Sequence, residues 1–199
     1  MKSETRLLAG GMLMLGVATS ALVVIPYLTV RDESPLAGLK PYGAAELRGR
    51  QQYIAQGCVY CHSQQPRTKN FAPDFQRGWG RATVAGDYAH DTPHLLGTMR
   101  TGPDLMNIGA RQPSEQWHLG HLYQPRAYVP GSLMPSYPYL FEARDRIEPG
   151  DVAVTLPPGV PMRGRHVVAT RDALDLVAYL KSLDRSYPAV LDGDRRDLR

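Results

Sequence analysis

The pattern of apolar and polar positions opens on one long unbroken run. From Leu7 to Val30 no position carries a charge. A helix of that length, rising about 1.5 Å per residue, reaches about 36 Å, enough to cross a bilayer core with some tilt. A cleaved signal peptide is the alternative, but its apolar region spans only about 7–15 residues and ends at a small-x-small site. Here the run continues through Val23-Val24-Ile25 to Pro26-Tyr27-Leu28, which predicts an uncleaved anchor. Lys2 and Arg6 precede it, whereas Arg31, Asp32 and Glu33 follow. The positive-inside rule then places the N-terminus in the cytoplasm and the rest across the membrane. Gly10, Gly11, Gly16 and Ala18 would let a second membrane helix approach closely, as a neighbouring membrane subunit requires.

Beyond a linker over 34–43 the pattern shortens. A helix is predicted from about Ala44 to Gln56, with Leu47, Tyr53 and Ile54 as packing positions. Gly49 weakens it unless it marks a close crossing with another helix. From Ser63 to Asp91 there is no periodicity; prolines and glycines interrupt it, and Arg67, Lys69, Arg77 and Arg81 make it basic. Those charges are read as mainly solvated, with one or two free to meet carboxylates of a cofactor or partner. Ser114 to Leu122 reads as a short helix capped by Ser114, with Glu115 in its first turn. A strand is expected over Asp151–Leu156. From Asp172 to about Leu183 the positions Ala173, Leu176, Val177, Leu180 and Leu183 form one apolar stripe, predicting a helix that crosses the first. The tail over 186–199 is charged. The chain thus divides into anchor and flanks (1–33), linker (34–43), one domain (44–185) and tail (186–199).

Composition changes the picture in one respect. A formal net charge of +4 is far from a nucleic-acid-binding profile. Seventeen prolines and nineteen glycines against three phenylalanines describe a loop-rich domain with a limited core of its own. A bound apolar macrocycle would complete such a core.

The chemistry sits in Gly57-Cys58-Val59-Tyr60-Cys61-His62-Ser63. Two cysteines three apart with a histidine after the second are a c-type haem attachment pattern. Each sulfur can form a thioether with one haem vinyl group, and the adjacent imidazole reaches one axial position of the iron. A zinc site would need a second ligand pair, and these are the chain's two cysteines. A thioredoxin-like pair has no use for the histidine and lacks its strand–helix surroundings. A helix leading into this segment is the usual opening of a cytochrome c domain. The predicted fold is therefore mainly α: one N-terminal transmembrane helix, then a cytochrome c-like, loop-rich haem domain holding one covalent haem c at Cys58 and Cys61.

A metal-bound histidine usually donates its second ring N–H to a carbonyl or carboxylate. The loop Arg100-Thr101-Gly102-Pro103-Asp104-Leu105 suits that task for His62, making Pro103 and Arg100 candidate supports of the haem pocket. For the second axial position Met134 is held between prolines in Val129-Pro130-Gly131-Ser132-Leu133-Met134-Pro135-Ser136-Tyr137-Pro138. Met99 and Met106 crowd the loop assigned to His62. Met162, His166 and an open position are the alternatives to Met134. A thioether opposite histidine raises the potential and closes the iron to oxygen, which suits electron transfer. His118 and His121 stand at i, i+3 on one helix face, and with no third ligand they read as structural or interface residues, as do His90, His94 and His166.

The sequence resembles the mono-haem, membrane-anchored subunit of cbb-type haem–copper cytochrome c oxidases (the CcoO/FixO family). The likeness rests on Glu46-Leu47-Arg48-Gly49-Arg50, Tyr53-Ile54 with Gly57-Cys58, Cys61-His62-Ser63-Gln64, and Val84-Ala85-Gly86-Asp87. It continues in Arg100 to Leu105, Trp117-His118 with His121, and Val129-Pro130 leading to Met134-Pro135, Tyr137-Pro138 and Leu140-Phe141. The resemblance implies a periplasmic domain on the bacterial inner membrane, with Cys58 and Cys61 attached to haem and His62 and Met134 axial. It implies a multi-helix catalytic subunit carrying b-type haems and copper. Electrons would arrive from a di-haem cytochrome subunit or a soluble cytochrome c, and oxygen would be reduced, with protons pumped, in the partner; the chain has no catalytic centre of its own. By the same analogy a calcium ion (Ca2+) lies at the junction with the catalytic subunit, with no ligand assigned. Tyr139, Leu96 and Thr98-Met99 depart from the family's tryptophans and Ser-Lys pair. Competing functions are the haem c subunit of a membrane nitric oxide reductase, a free anchored electron carrier, and an enzyme acting at its own haem such as a peroxidase.

Overall fold

The computed structural model describes residues 2–31, 33–160 and 166–189. It opens with α1 (Lys2–Thr19), a π-helical turn over Ser20–Val24, and α2 (Ile25–Val30). Pro26 lies in the first turn of α2. Proline has no N–H to donate and its ring crowds the carbonyl one turn back, so a wider π turn just before it keeps the helix continuous. Thr29 Oγ1 donates to the Pro26 carbonyl at 2.7 Å, an internal partner of the kind an apolar medium demands. The stretch Ser3–Thr29 is long and apolar enough to cross a membrane, and none of it is buried by the rest of the chain. The expected N-terminal helix is thus present as one helical element that could span a membrane.

The domain is framed by α3 (Ala44–Ala55) and α6 (Arg171–Ser182), which cross at Gly49. A Cβ at Gly49 would run into the Asp175 carbonyl oxygen and stand 2.8 Å from the Tyr179 Cβ, so only glycine permits this approach. Around the crossing, Arg48 grips Asp175 with Nε at 2.6 Å and Nη2 at 2.9 Å. Tyr53 and Tyr179 meet edge to face with ring centroids 5.5 Å apart. All five stripe residues of α6 are buried, and Thr170 caps the helix by accepting from the Ala173 N–H.

The face that α3 buries matches expectation at Tyr53 and differs at Leu47 and Ile54. Gly49, Arg50 and Tyr53 point inward, while Leu47 and Ile54 are 48% and 40% exposed. The glycine crossing selects the face. Arg50 is tolerated inside because it donates to the carbonyls of Thr92 and Pro93 and lies 3.5 Å from the Asp91 carboxylate.

Between the frame helices come α4 (Ile108–Arg111) and α5 (Glu115–Tyr123), the latter capped by Ser114 accepting from the Trp117 N–H. A short antiparallel pair, β1 (Phe141–Arg144) with β2 (His166–Ala169), matches Phe141 with Ala169 and Arg144 with His166. The strand expected over Asp151–Leu156 reduces to one bridge, Ala153 with Val168, flanked by bonds from Ala169 N to Val152 O and from Val154 N to Val167 O. Asp151 turns its carboxylate back to Arg144 and the Glu148 N–H, which bends the segment before a ladder can extend. The aperiodic stretch after Ser63 is ordered by polar contacts. Buried Asp87 accepts a bidentate pair from Arg81 at 2.7 and 2.8 Å and a further bond from Tyr187 Oη. The charge of Arg81 is therefore paired rather than solvated.

A candidate haem site around His62

The site grows from the end of α3. Gly57, with φ of 71°, takes the left-handed conformation that ends a helix without strain. A 3-10 turn over Cys58–Tyr60 follows, and the N–H groups of Cys61 and His62 both bond to the Cys58 carbonyl, at 3.1 and 3.0 Å. One tight turn thus carries both thiols and the imidazole. Neither cysteine is in a disulfide. Cys58 is half-buried against the core and its thiol is pushed up to about 11 by burial, opposite to the depressed value of a redox-active thiol.

His62 is oriented by the loop predicted for it. Its Nδ1 lies 2.8 Å from the Pro103 carbonyl oxygen. A carbonyl only accepts, so Nδ1 carries the proton and Nε2 keeps its lone pair for a metal. Burial pushes the imidazole below its ordinary value, which keeps it neutral. Behind the ring stands Gly102, where a Cβ would collide with the imidazole itself. The two strands of this clasp are joined by Gly102 N to Cys61 O at 2.9 Å, Leu105 N to Ser63 O at 2.8 Å and Gln64 N to Leu96 O at 2.7 Å.

Arg100 and Asp104 lock the clasp. Arg100 donates to Ser63 Oγ at 2.9 Å, the Gln65 carbonyl at 2.8 Å and Asp74 Oδ1 at 2.7 Å. Fully buried Asp104 accepts from Ser63 Oγ, the Gln65 N–H and the Met106 N–H at 2.6, 2.7 and 2.9 Å. Burial pushes its carboxyl up, and these donors, with Arg100 3.6 Å away, oppose that shift. Arg100 therefore supports the segment after His62 from behind. Asp104, Asp74 and Gly102 were not singled out by the sequence; an acid one residue beyond the Gly-Pro pair, in a loop with an arginine, was the available signal.

Met134 is half-buried and packs on the same core cluster as Cys58 and Val59. Its loop is pinned by Tyr137 N to Leu122 O at 2.9 Å, and returns past the cysteines: Tyr139 Oη donates to Gln56 Oε1 at 2.6 Å. The Tyr137 hydroxyl is pushed up to about 12, first by burial and then by the Cys58 thiol nearby. Met106 is fully buried in the core and Met99 is exposed. His166 lies in β2, and Met162 lies outside the described residues.

The remaining histidines have other surroundings. His118 Nε2 is 2.8 Å from the Gln112 carbonyl oxygen. His121 stacks on Trp117 with centroids 4.6 Å apart, and its buried Nδ1 has no hydrogen-bond partner among the described residues. Among the described residues no three His, Cys, Asp or Glu side chains converge on a metal position, so the chain alone assigns no calcium ligand. A neutral imidazole and two thiols outside any disulfide on one turn, with the Met134 thioether packed on the same core cluster as Cys58, fit the needs of a covalently held haem.

The model of the family described as cytochrome C oxidase, mono-heme subunit/FixO matches residues 2–161, a span that includes the cysteines, the clasp and Met134. No curated protein matches the chain at a significant level.

Proposed function

Since the chain belongs to the mono-haem (FixO) subunit family of cytochrome c oxidase, we propose that it is a membrane-anchored c-type cytochrome passing electrons to the oxidase's catalytic subunit. Cys58 and Cys61 would hold one haem by thioethers, and His62 and Met134 would be the residues that ligate its iron. The bond from His62 Nδ1 to the Pro103 carbonyl is the observation that carries this reading, because it supplies the one tautomer able to ligate through Nε2. Ca2+ at the junction with the catalytic subunit would need ligands from the partner.

A haem bound here supplies reversible one-electron transfer. The protein's residues keep that transfer free of other chemistry. Pro103 holds the Nδ1 proton in place, so no proton need move at His62. Gly102 leaves room for the ring, and the Arg100–Asp104 lock keeps the ligand turn from rearranging. Met134, from a loop pinned at Leu122 and Gln56, would offer the iron a weak thioether donor, a ligand that raises the potential. Donor and acceptor are then both external: a di-haem cytochrome subunit or soluble cytochrome c on one side, a subunit with b-type haems and copper on the other. Lys2 and Arg6 before the span support a cytoplasmic N-terminus and a periplasmic haem domain.

The experiment is the metal and haem content of the complex that purifies with this chain in mild detergent. Copper with b-type haem alongside one haem c is expected. Non-haem iron without copper, or a haem c protein emerging alone under the gentlest extraction, would overturn the assignment.

A further inference from the structure

The loop over 66–83 divides its charges into two sets. Arg81 is bound to Asp87, and Asp74 is bound to Arg100. Arg67, Lys69 and Arg77 make no ion pair among the described residues and instead lie over aromatic rings. Arg67 is 5.1 Å from the centroid of Phe71, Lys69 Nζ is 4.0 Å from that of Phe75, and Arg77 is 5.1 Å from that of Trp79. Phe71 and Phe75 are nonetheless 73% and 51% exposed.

The exposure is built in. Turns from Thr68 to Ala72 and from Pro73 to Gly78 hydrogen-bond within themselves, and Asp74 Oδ2 accepts from the Arg67 N–H at 2.7 Å. Thr83 N closes the loop on Pro66 O at 3.3 Å. The rings are held outward on a folded support, each beside a cation that makes no ion pair among the described residues.

The root of this loop is also where the anchor's linker docks. Leu36 N donates to Gly86 O, and Ser34 O packs on Gly86, three residues beyond Thr83. From the end of α2 at Val30 to Ser34 the chain spans at most about 14 Å. The support is therefore tethered close to the point where the apolar helix ends.

Exposed rings flanked by cations that make no ion pair among the described residues, next to the end of an apolar helix, match a surface that is apolar below and anionic above. Aromatic rings settle at headgroup depth, while Lys and Arg meet phosphate. We propose that the 66–81 loop rests on the bilayer, Phe71 and Phe75 entering the interface and Arg67, Lys69 and Arg77 binding anionic lipid phosphates, so that the haem domain is held at a fixed tilt over the membrane. The lipid contact rests on the reading that the N-terminal helix spans the bilayer, and only the nature of the domain it orients rests on the reading that the two cysteines carry haem.

The test uses the whole complex in lipid nanodiscs of phosphatidylcholine with phosphatidylglycerol, with a spin label on a Gln76→Cys chain. One label per chain, counted by mass, is expected; labels on Cys58 or Cys61 would refute the haem reading without touching this one, and loss of the chain from the discs would refute the anchor. The proposal predicts that the label collides with oxygen several-fold more often than with a water-soluble nickel chelate. It also predicts that this excess falls by at least half in the R67Q/K69Q/R77Q chain and in discs lacking phosphatidylglycerol. A label open to the nickel chelate would place the loop in water and overturn the proposal. So would a label shielded from both reagents, which would mean that a protein subunit covers the loop, or an oxygen excess indifferent to lipid charge.

Discussion

The crossing of α3 and α6 and the clasp around His62 lie at opposite ends of one buried chain of contacts, and they are built by different means. At the crossing, apolar stripe and glycine do the work: Gly49 admits the Asp175 backbone, and Tyr53, Tyr179, Leu176 and Leu180 fill the space around it. At the clasp hardly any apolar side chain contributes. Ser63, Arg100, Asp104 and Asp74 hold two aperiodic segments together through directed bonds. The two meet at Gln64, which accepts from Tyr179 Oη while its own N–H is held by Leu96. Packing places the cysteine turn, and directed polar bonds aim the histidine. Non-directional burial can fix where a backbone goes, but a ring orientation requires a hydrogen bond.

The largest expected effect breaks the clasp. Asp104→Ala leaves the buried Ser63 hydroxyl, two backbone N–H groups and part of Arg100 unpaired, and should cost about 3–5 kcal/mol. Denaturant unfolding of the purified subunit measures it, and a loss below about 1 kcal/mol would mean that the network relaxes without its centre. At the other region, Gly49→Ala forces the helices apart at a backbone oxygen that cannot swing away. That should cost about 3 kcal/mol. If both changes lower stability but only Asp104→Ala disturbs the haem spectrum, the division of labour between packing and aiming holds.

Much of the crossing was legible in the sequence. The stripe from Ala173 to Leu183 repeats at helical spacing, Ser114 stands where a cap belongs, and Gly49 inside a helix had one physical justification, which is the one found. In α3, where Tyr53 is buried as expected but two apolar neighbours are not, the limit shows. Leu47 and Ile54 looked like core by hydrophobicity alone, yet a close crossing dictates which side turns in, and that information belongs to α6. The Pro103 carbonyl was foreseeable because a ligating histidine needs a partner. The Arg100–Asp104–Asp74 lock was not, since its members are separated by up to thirty residues and charge patterns carry no directions. β1 and β2 escaped because four-residue strands leave little periodicity to read.

A pH series sharpens the contrast on a finer scale. His118 and His121 are both held below the ordinary imidazole value by burial, His121 at about 4. Between those values the unfolded chain binds more protons than the folded one. Their contribution is therefore complete above about pH 6.5 and is lost as pH falls toward 4. Thermal midpoints should drop steadily over that window, and His121→Phe should flatten the slope; equal slopes in the two proteins would show that His121 is not protonated on unfolding. The smallest effect is expected at the surface of the crossing. Arg48 is partly exposed, and Arg171 also reaches Asp175, so Arg48→Ala should lower stability only slightly by the same denaturant assay. A much larger loss would mean that the ion pair, and not the glycine contact, holds the helices together.

The central claim is that one turn and one returning loop give a haem a histidine and a thioether. Its most direct measurement is the near-infrared sulfur-to-iron charge-transfer band of the oxidised complex, recorded for the natural chain, for Met134→Ala and for Met162→Ala. The account predicts the band in the natural and Met162→Ala proteins. In Met134→Ala it should vanish while the haem stays covalently attached and its potential falls by on the order of 0.1–0.3 V, part of the ~0.8 V that axial ligation spans. A band that survives Met134→Ala, or is missing from the natural protein, would contradict it.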